Sequence, residues 1–262
     1  MKEVIRKIII VVLLGVIVYS GYNIVKIIAD YSKGDNFYEE TRQEFYVENE
    51  TAQHNDEKNI SAGTGEAEQI PLENQIDFEK LKAVNEDIEG WIRIEDTNID
   101  YPVLKSKKSN DDYIHTSYDG KYSGFGSVFV DYRNSSHFED ENTIIYAHNM
   151  KNGTMFASLA DYEDKSFYDA HKNIMYDTLY DKGEYEIVSA FTTKVGASNE
   201  FKYYDYADIE SEERFNEYVT QAKSRSFYDT GVNTVYGDSL ITLSTCAYHT
   251  SNERFVVIAR KK

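Results

Sequence analysis

The sequence predicts a mainly β domain, either an antiparallel β-barrel or a sandwich, that follows a membrane-spanning helix and a polar linker. Many short segments rich in β-branched and aromatic residues are separated by turns, whereas only two or three stretches have helical periodicity. The chain has 262 residues, of which 41 % are hydrophobic, enough for one sizeable domain with appendages. We therefore divide it into an anchor (1–29), a linker (30–71) and a folded domain (72–262).

The N-terminus predicts a membrane anchor. An uncharged run extends from Ile8 to Val25, close to the roughly 20 residues that span a bilayer. Lys2, Arg6 and Lys7 precede it and favour a cytoplasmic N-terminus. The alternative, a cleaved signal peptide, would need a shorter apolar region and a small-x-small site, and no Ala-x-Ala follows. We expect a single-pass protein of the cell membrane whose remaining residues lie outside the cell.

Residues 30–71 are polar and acidic. Asn36 to Glu50 predicts an acidic helix, and Thr51 to Gln69 has the composition of a flexible linker. A spacer that lifts the domain off the membrane is favoured over a binding module.

The elements of residues 72–262 follow from periodicity and turn signals. A helix is predicted from Asp77 to Asp87, ended by Gly90, and a short helix starts over Thr154 to Leu159. A charged helix with one apolar face is predicted from Asp208 to Ser226. Pro102 implies an edge or a bulge in its strand. The predicted strands are Trp91–Ile94, Ile99–Leu104, Ser127–Tyr132, Thr143–His148, Ile174–Leu179, Glu184–Thr193, Leu240–Cys246 and Arg254–Ala259.

Composition excludes several classes of function. The formal net charge of −18 argues against nucleic acid, because the phosphate backbone is bound mainly by Lys and Arg. The single cysteine excludes an internal disulfide, and outside the cytoplasm an unpaired thiol suggests reactivity. One cysteine and scattered histidines lack the spacing of a zinc site, so we expect neither metal nor cofactor.

Three residues form a candidate reactive site. The apolar run from Leu240 ends on Cys246, and a turn-rich loop can return Arg254 alongside it as a hairpin. His148 ends another strand, so nucleophile, base and charge stabiliser are all present. Each has a plain alternative: Cys246 as a small buried hydrophobe, His148 as an ordinary strand-end residue, and Arg254 as a surface ion-pair donor. His249 has no assigned direction, and the remaining histidines are predicted to be exposed: His54, His115, His137 and His171.

These segments carry a resemblance to a known family. Thr242–Cys246, with Arg254 eight residues on, resembles the signature of sortases, the cysteine transpeptidases of Gram-positive cell surfaces. The resemblance to class B sortases covers about residue 72 to the end and includes four further segments: Asp119–Gly120, Gly126–Asn134, Tyr146–Met150 and Gly153–Phe156.

The resemblance implies a closed barrel of about eight strands, with an N-terminal helix and a long helix inserted before the cysteine strand. It implies that Cys246 is the nucleophile, His148 the general acid and base, and Arg254 the group that orients the peptide and stabilises the oxyanion. Some class B members carry an acidic residue after the cysteine, where this chain has Ala247. The implied substrate-binding residues are Asn110, Ile114, Tyr146, Tyr203, Tyr204, Ser244 and Thr245.

The resemblance also implies the reaction and its partners. The enzyme would cleave the C-terminal sorting signal of exported proteins after a threonine and transfer them to an amine of peptidoglycan or of its lipid-linked precursor. Haem-uptake proteins are the family's common cargo. Two alternatives stay open, a wall-associated cysteine peptidase and a catalytically silent surface domain. In papain-like enzymes Cys precedes His, whereas here His148 precedes Cys246.

Overall fold

The structure is a computed structural model that describes residues 2–46, 76–135, 140–196, 199–247 and 252–262. It contains two compact units, Met1–Thr41 and Arg42–Lys262. The predicted flexible linker, Thr51 to Gln69, lies outside the described residues.

The N-terminal helix α1 extends over Lys2–Phe45. Its segment Lys2–Lys26 contains an 18-residue window with a mean hydropathy of 2.4 and is long and apolar enough to cross a membrane. The acidic stretch from Asn36 is the continuation of α1 rather than a separate helix. The glycine at position 34 does not end α1, because a helical glycine costs only about 1 kcal/mol relative to alanine. Residues 47–50, the end of that predicted helix, lie outside the described part of the chain.

Eight strands form a closed barrel in the order β1-β2-β3-β4-β7-β8-β6-β5, which confirms the barrel implied by the family resemblance. The pairs β2–β3 and β4–β7 are parallel, so the prediction of an antiparallel sheet is wrong for these two. Parallel neighbours require a long crossover, and the whole β5–β6 hairpin lies between β4 and β7 in sequence. The strands are β1 Ile88–Arg93, β2 Asp100–Lys105, β3 Val128–Val130, β4 Asn142–Tyr146, β5 Asn173–Thr178, β6 Lys182–Lys194, β7 Leu240–Cys246 and β8 Glu253–Lys261.

Two local predictions at the first strands need correction. Gly90 does not end a helix but lies inside β1, where an added Cβ would be 2.6 Å from the ring of Tyr176. The strand can therefore approach that ring only with glycine at this position. Pro102 pairs with Trp91 of β1, and β3 pairs with β2 from Val103 onward, so the missing N–H of Pro102 interrupts neither ladder. The bulge lies in β1 instead.

The helices of the barrel unit are α2 Phe78–Val84, α3 Lys165–Ala170 and α4 Glu212–Arg225, with 3-10 helices over Ala157–Glu163 and Tyr203–Tyr206. Asp77 caps α2 as predicted, accepting a hydrogen bond from the amide of Lys80 at 2.9 Å. The sequence placed the start of α4 at Asp208, but its N-cap is Ser211. The predicted short helix from Thr154 begins later, at Ala157, and α3 was not foreseen.

Helix α4 packs its apolar face on the barrel. Its buried residues are those predicted from periodicity: Phe215, Tyr218, Val219 and Ala222. They join a core cluster that includes Leu240 of β7 and Ile258 of β8. Tyr218 also shares a 2.5 Å hydrogen bond with Thr242 in the middle of β7. Burying such side chains contributes about 1.5–3 kcal/mol each, so α4 supports the strand that ends on the cysteine.

Candidate active site

The hairpin of β7 and β8 positions two of the three proposed catalytic side chains. Its register places Cys246 opposite Arg254, as predicted, and the amide of Ala247 donates to the carbonyl of Glu253 at 3.0 Å just beyond them. Cys246 is a free, half-buried thiol. His249 lies outside the described residues.

His148 reaches the same end of the barrel through a neighbouring strand. It follows β4, which runs parallel to β7, and parallel neighbours end at the same edge of a sheet. The contact between these two segments continues beyond the last paired residues of β4 and β7, because the hydroxyl of Thr245 donates to the carbonyl of Ala147 at 2.8 Å. In addition, the side-chain amide of Asn149 donates to the carbonyl of Cys246 at 2.8 Å. Backbone pairing therefore brings imidazole and thiol together across a long sequence separation.

The orientation of His148 follows from a hydrogen bond at one edge of its ring. Nε2 lies 2.7 Å from the carbonyl oxygen of Ile114. A carbonyl oxygen can only accept, so Nε2 carries a proton and Nδ1 is the nitrogen that exchanges one. A partner that fixes the tautomer of a catalytic base is a recurring feature of nucleophilic enzymes.

A cavity of about 370 Å³ opens at this end of the barrel. All ten residues that the sequence predicts to be catalytic or substrate-binding line this cavity. Their roles remain predictions. Three lining residues were not foreseen: Phe129, Ala147 and Val195. Phe129 lies in an apolar strand, and that pattern predicts a core position. Nothing in the local sequence indicates that Phe129 lines the cavity. The predicted lining residues are Asn110, Ile114, Tyr146, His148, Tyr203, Tyr204, Ser244, Thr245, Cys246 and Arg254.

A buried carboxylate, Asp131, organises one wall of the cavity. It accepts hydrogen bonds from the hydroxyl of Tyr146 at 3.0 Å and the amide of Asn110 at 3.1 Å, and it pairs with Arg133 at 2.8 Å. Burial acts to raise the pKa of Asp131, but the hydrogen bonds from Arg133 outweigh it and hold the pKa below its ordinary value. Arg133 also donates to the carbonyl of Tyr204 at 2.6 Å. Sequence reasoning gave Asp131 no role, although an acidic residue directly after an apolar strand is a usable signal.

Another part of the cavity lining is aromatic. The hydroxyls of Tyr203 and Ser244 lie 2.6 Å apart in a buried hydrogen bond. Burial raises the pKa of Tyr203 to about 12, so this side chain is neutral at physiological pH. The ring of Tyr204 packs edge-on against it, with centroids 5.4 Å apart.

A second histidine lies beside His148. His115 is exposed, as predicted, but its ring stacks on that of His148, with centroids 5.7 Å apart and planes 26° from parallel. Its position directly after Ile114 is the only sequence signal for this contact.

Comparisons with known proteins agree with this geometry. The sortase domain family model matches residues 92–262. Sortase B of Listeria monocytogenes is 35 % identical over 245 residues, covering 94 % of this chain and 91 % of that protein. Sortase B of Staphylococcus aureus is 36 % identical over 185 residues, covering 70 % of this chain and 73 % of that protein.

Solved structures match as well. A Staphylococcus aureus sortase B–substrate complex superimposes with a TM-score of 0.64 and 35 % identity, covering 71 % of this chain and 84 % of that one. Clostridium perfringens sortase B gives a TM-score of 0.65 and 32 % identity, covering 71 % of this chain and 100 % of that one. With the family model, the curated relatives and the barrel in agreement, this chain belongs to the sortase family and is a cysteine transpeptidase of class B.

Proposed function

We propose that this sortase is a membrane-anchored enzyme that cleaves the C-terminal sorting signal of exported proteins after a threonine and transfers them to a peptidoglycan amine through a thioacyl intermediate. The observation that supports this most directly is the shared cavity: the free thiol of Cys246, the imidazole of His148 and the guanidinium of Arg254 all line it. The relative solved as a substrate complex has the same fold.

In the first step the Cys246 thiolate attacks the carbonyl carbon of the threonine. The Arg254 guanidinium stabilises the charge that develops on the carbonyl oxygen. Nδ1 of protonated His148 then gives its proton to the leaving amine as the C–N bond breaks, and a thioacyl enzyme remains. Nδ1 takes this role because the carbonyl of Ile114 occupies Nε2.

In the second step an amine of peptidoglycan or of its lipid-linked precursor attacks the thioester. Neutral His148 accepts the proton of the attacking amine, the C–S bond breaks, and the thiolate of Cys246 is regenerated. Each turnover therefore returns both groups to their starting protonation states.

The remaining lining residues bind the sorting signal. Hydroxyl and amide groups on the Asp131 wall offer hydrogen bonds to an extended peptide, and Tyr203 and Tyr204 offer apolar contact. Because Tyr146 and Asn110 are both bound to Asp131, the peptide meets groups whose orientations are fixed before it arrives. The lining residues assigned to substrate are Asn110, Ile114, Tyr146, Tyr203, Tyr204, Ser244 and Thr245.

An anchor formed by the N-terminal helix would hold the active site at the cell surface. Lys2–Lys26 would cross the membrane once, with the basic N-terminus cytoplasmic and residues 72–262 outside. Residues 30–71 would serve as the spacer. There the enzyme meets exported proteins that bear sorting signals, haem-uptake proteins among them, as well as wall precursors.

The proposal is tested with the full chain in detergent, a panel of sorting-signal peptides and mass spectrometry of Cys246. We expect a thioacyl adduct on Cys246 with one peptide class, and diversion of the product to an aminolysed form when an amine is added. Cys246→Ala should abolish both cleavage and adduct, and retained turnover in that variant would refute the assignment. If added amine leaves only hydrolysed product, the enzyme is a peptidase. If a small alkylating reagent fails to label Cys246 in the folded protein, the domain is catalytically silent.

A further inference from the structure

We propose that His115 is a positioning residue for the reaction, holding the imidazole of His148 by its face while the carbonyl of Ile114 holds it by its edge. The inference rests on the proposed role of His148 as acid and base. It concerns a side chain that is not among those lining the cavity.

The geometry of the two rings supports this role. Their centroids are 5.7 Å apart with planes 26° from parallel, within the range of offset-stacked aromatic pairs. His115 also lies 6.3 Å from the ring of Tyr122, with the two planes 35° from parallel. The ring of His115 therefore has an aromatic neighbour of its own besides the proposed catalytic base.

The two contacts to His148 have different effects. The hydrogen bond from Nε2 to Ile114 fixes one point on the edge of the ring but leaves the ring free to tilt about the N–H···O line. The stacked ring of His115 removes that tilt. With both in place, Nδ1 points in one direction, and catalysis is sensitive to such orientation because a displacement of about 1 Å can cost roughly 100-fold in rate.

The backbone that supplies both contacts is itself fixed. The amide of Ser123 donates to the carbonyl of His115 at 2.9 Å, which closes the turn that carries the ring. Gly126, with φ of +59°, packs against the same segment so closely that an added Cβ would lie 2.3 Å from the oxygen of Ile114 and 2.7 Å from that of Tyr113. The support for His148 is therefore built before substrate binds.

The test compares two substitutions in the full chain, using cleavage of a sorting peptide. His115→Ala removes the stack, and we expect kcat to fall about 10-fold with KM changed less than about two-fold. His115→Phe keeps an aromatic ring at this position. It should restore kcat to within about two-fold of the unmodified enzyme. His171→Ala is the matched control, because His171 stacks on Phe167 at 4.1 Å in another part of the barrel unit.

Two results would overturn the proposal: an unchanged kcat in His115→Ala, or a kcat in His115→Phe as low as in His115→Ala. Because His115→Phe keeps an aromatic ring of similar size, it distinguishes positioning from misfolding if the alanine variant is unstable. Failure of the proposed function is separate, since it would appear as retained turnover in Cys246→Ala or His148→Ala.

Discussion

Replacing Gly126 with alanine should disable the enzyme from a position outside the cavity lining. The added Cβ would lie 2.3 Å from the carbonyl oxygen of Ile114, which accepts the hydrogen bond from His148, and contacts under 3.0 Å are essentially absent from real structures. The obstructing atom belongs to the backbone, so it cannot rotate away. The carbonyl that orients His148 must move by about 0.7 Å or more, and the imidazole must follow it.

The size of the effect can be worked from two contributions. A non-glycine residue at φ of +59° costs about 1–2 kcal/mol, and the overlap adds about 1–3 kcal/mol, as overpacking does in cores. Together these predict a loss of about 2–5 kcal/mol. A domain of this size loses about 2–4 °C in Tm per kcal/mol, so the melting temperature should fall by about 4–20 °C. Turnover of the folded fraction should fall by about 100-fold.

Gly120→Ala is the matched control, measured by thermal melting and by peptide cleavage below both melting temperatures. Gly120 has φ of +79° in the same segment, but nothing lies within 4 Å of the Cβ position. It should therefore lose only about 1–2 kcal/mol and keep its turnover within about two-fold. Equal losses of Tm and turnover in the two variants would refute the steric argument, and with it the role assigned to the carbonyl of Ile114.

Two further predictions concern carboxylates that accept several hydrogen bonds. Asp131→Asn should lose about 1–3 kcal/mol at neutral pH and weaken peptide binding, because Arg133 loses its ion pair and Tyr146 its acceptor. The pKa of Asp131 is lowered by folding, so this stabilisation is complete above about pH 4 and is lost as pH falls through the lower folded-state pKa. The Tm difference from the unmodified enzyme should therefore be constant from pH 5 to 8 and shrink in acid, and a pH-independent difference would contradict it. Tyr46→Phe removes a 2.8 Å hydrogen bond to half-buried Asp100, which also accepts from Trp91 at 2.6 Å, and should cost about 1.5–3 kcal/mol in thermal melts. An unchanged Tm, as expected for the exposed control Tyr180→Phe, would contradict this.

The positions of the strands could be predicted from the sequence better than which strands pair with each other. The bounds of β7 follow from an apolar β-branched run that ends on the only cysteine, and its hairpin with β8 follows from the turn between them. The parallel pairing of β4 with β7 could not be predicted from local pattern, because it depends on how the intervening β5–β6 hairpin crosses the barrel. That His148 and Cys246 each end a predicted strand indicates that both could lie at one end of a barrel, and the family resemblance paired them as catalytic residues.

The cavity was predicted unevenly for a similar reason. Lining residues such as Tyr146 and Tyr203 could be assigned from the resemblance to class B sortases. Asp131 was not singled out, because its importance comes from three partners distributed over the chain. His115 was assigned to the surface correctly, but exposure says nothing about the ring that it contacts. Contacts that depend on tertiary packing leave no periodic signal.

The placement of β7 between β4 and β8 has a consequence for how the enzyme matures. Before residues 240–261 join the sheet, the barrel is open, and β4 and β6 are its two unpaired edge strands. Without β7, no strand pairing holds the thiol of Cys246 near the imidazole of His148. Pairing across such sequence distances is slow to form, because loop closure must come first. A newly synthesised chain should therefore be inactive until its last two strands close the barrel, because His148 and Cys246 come together only in the folded molecule.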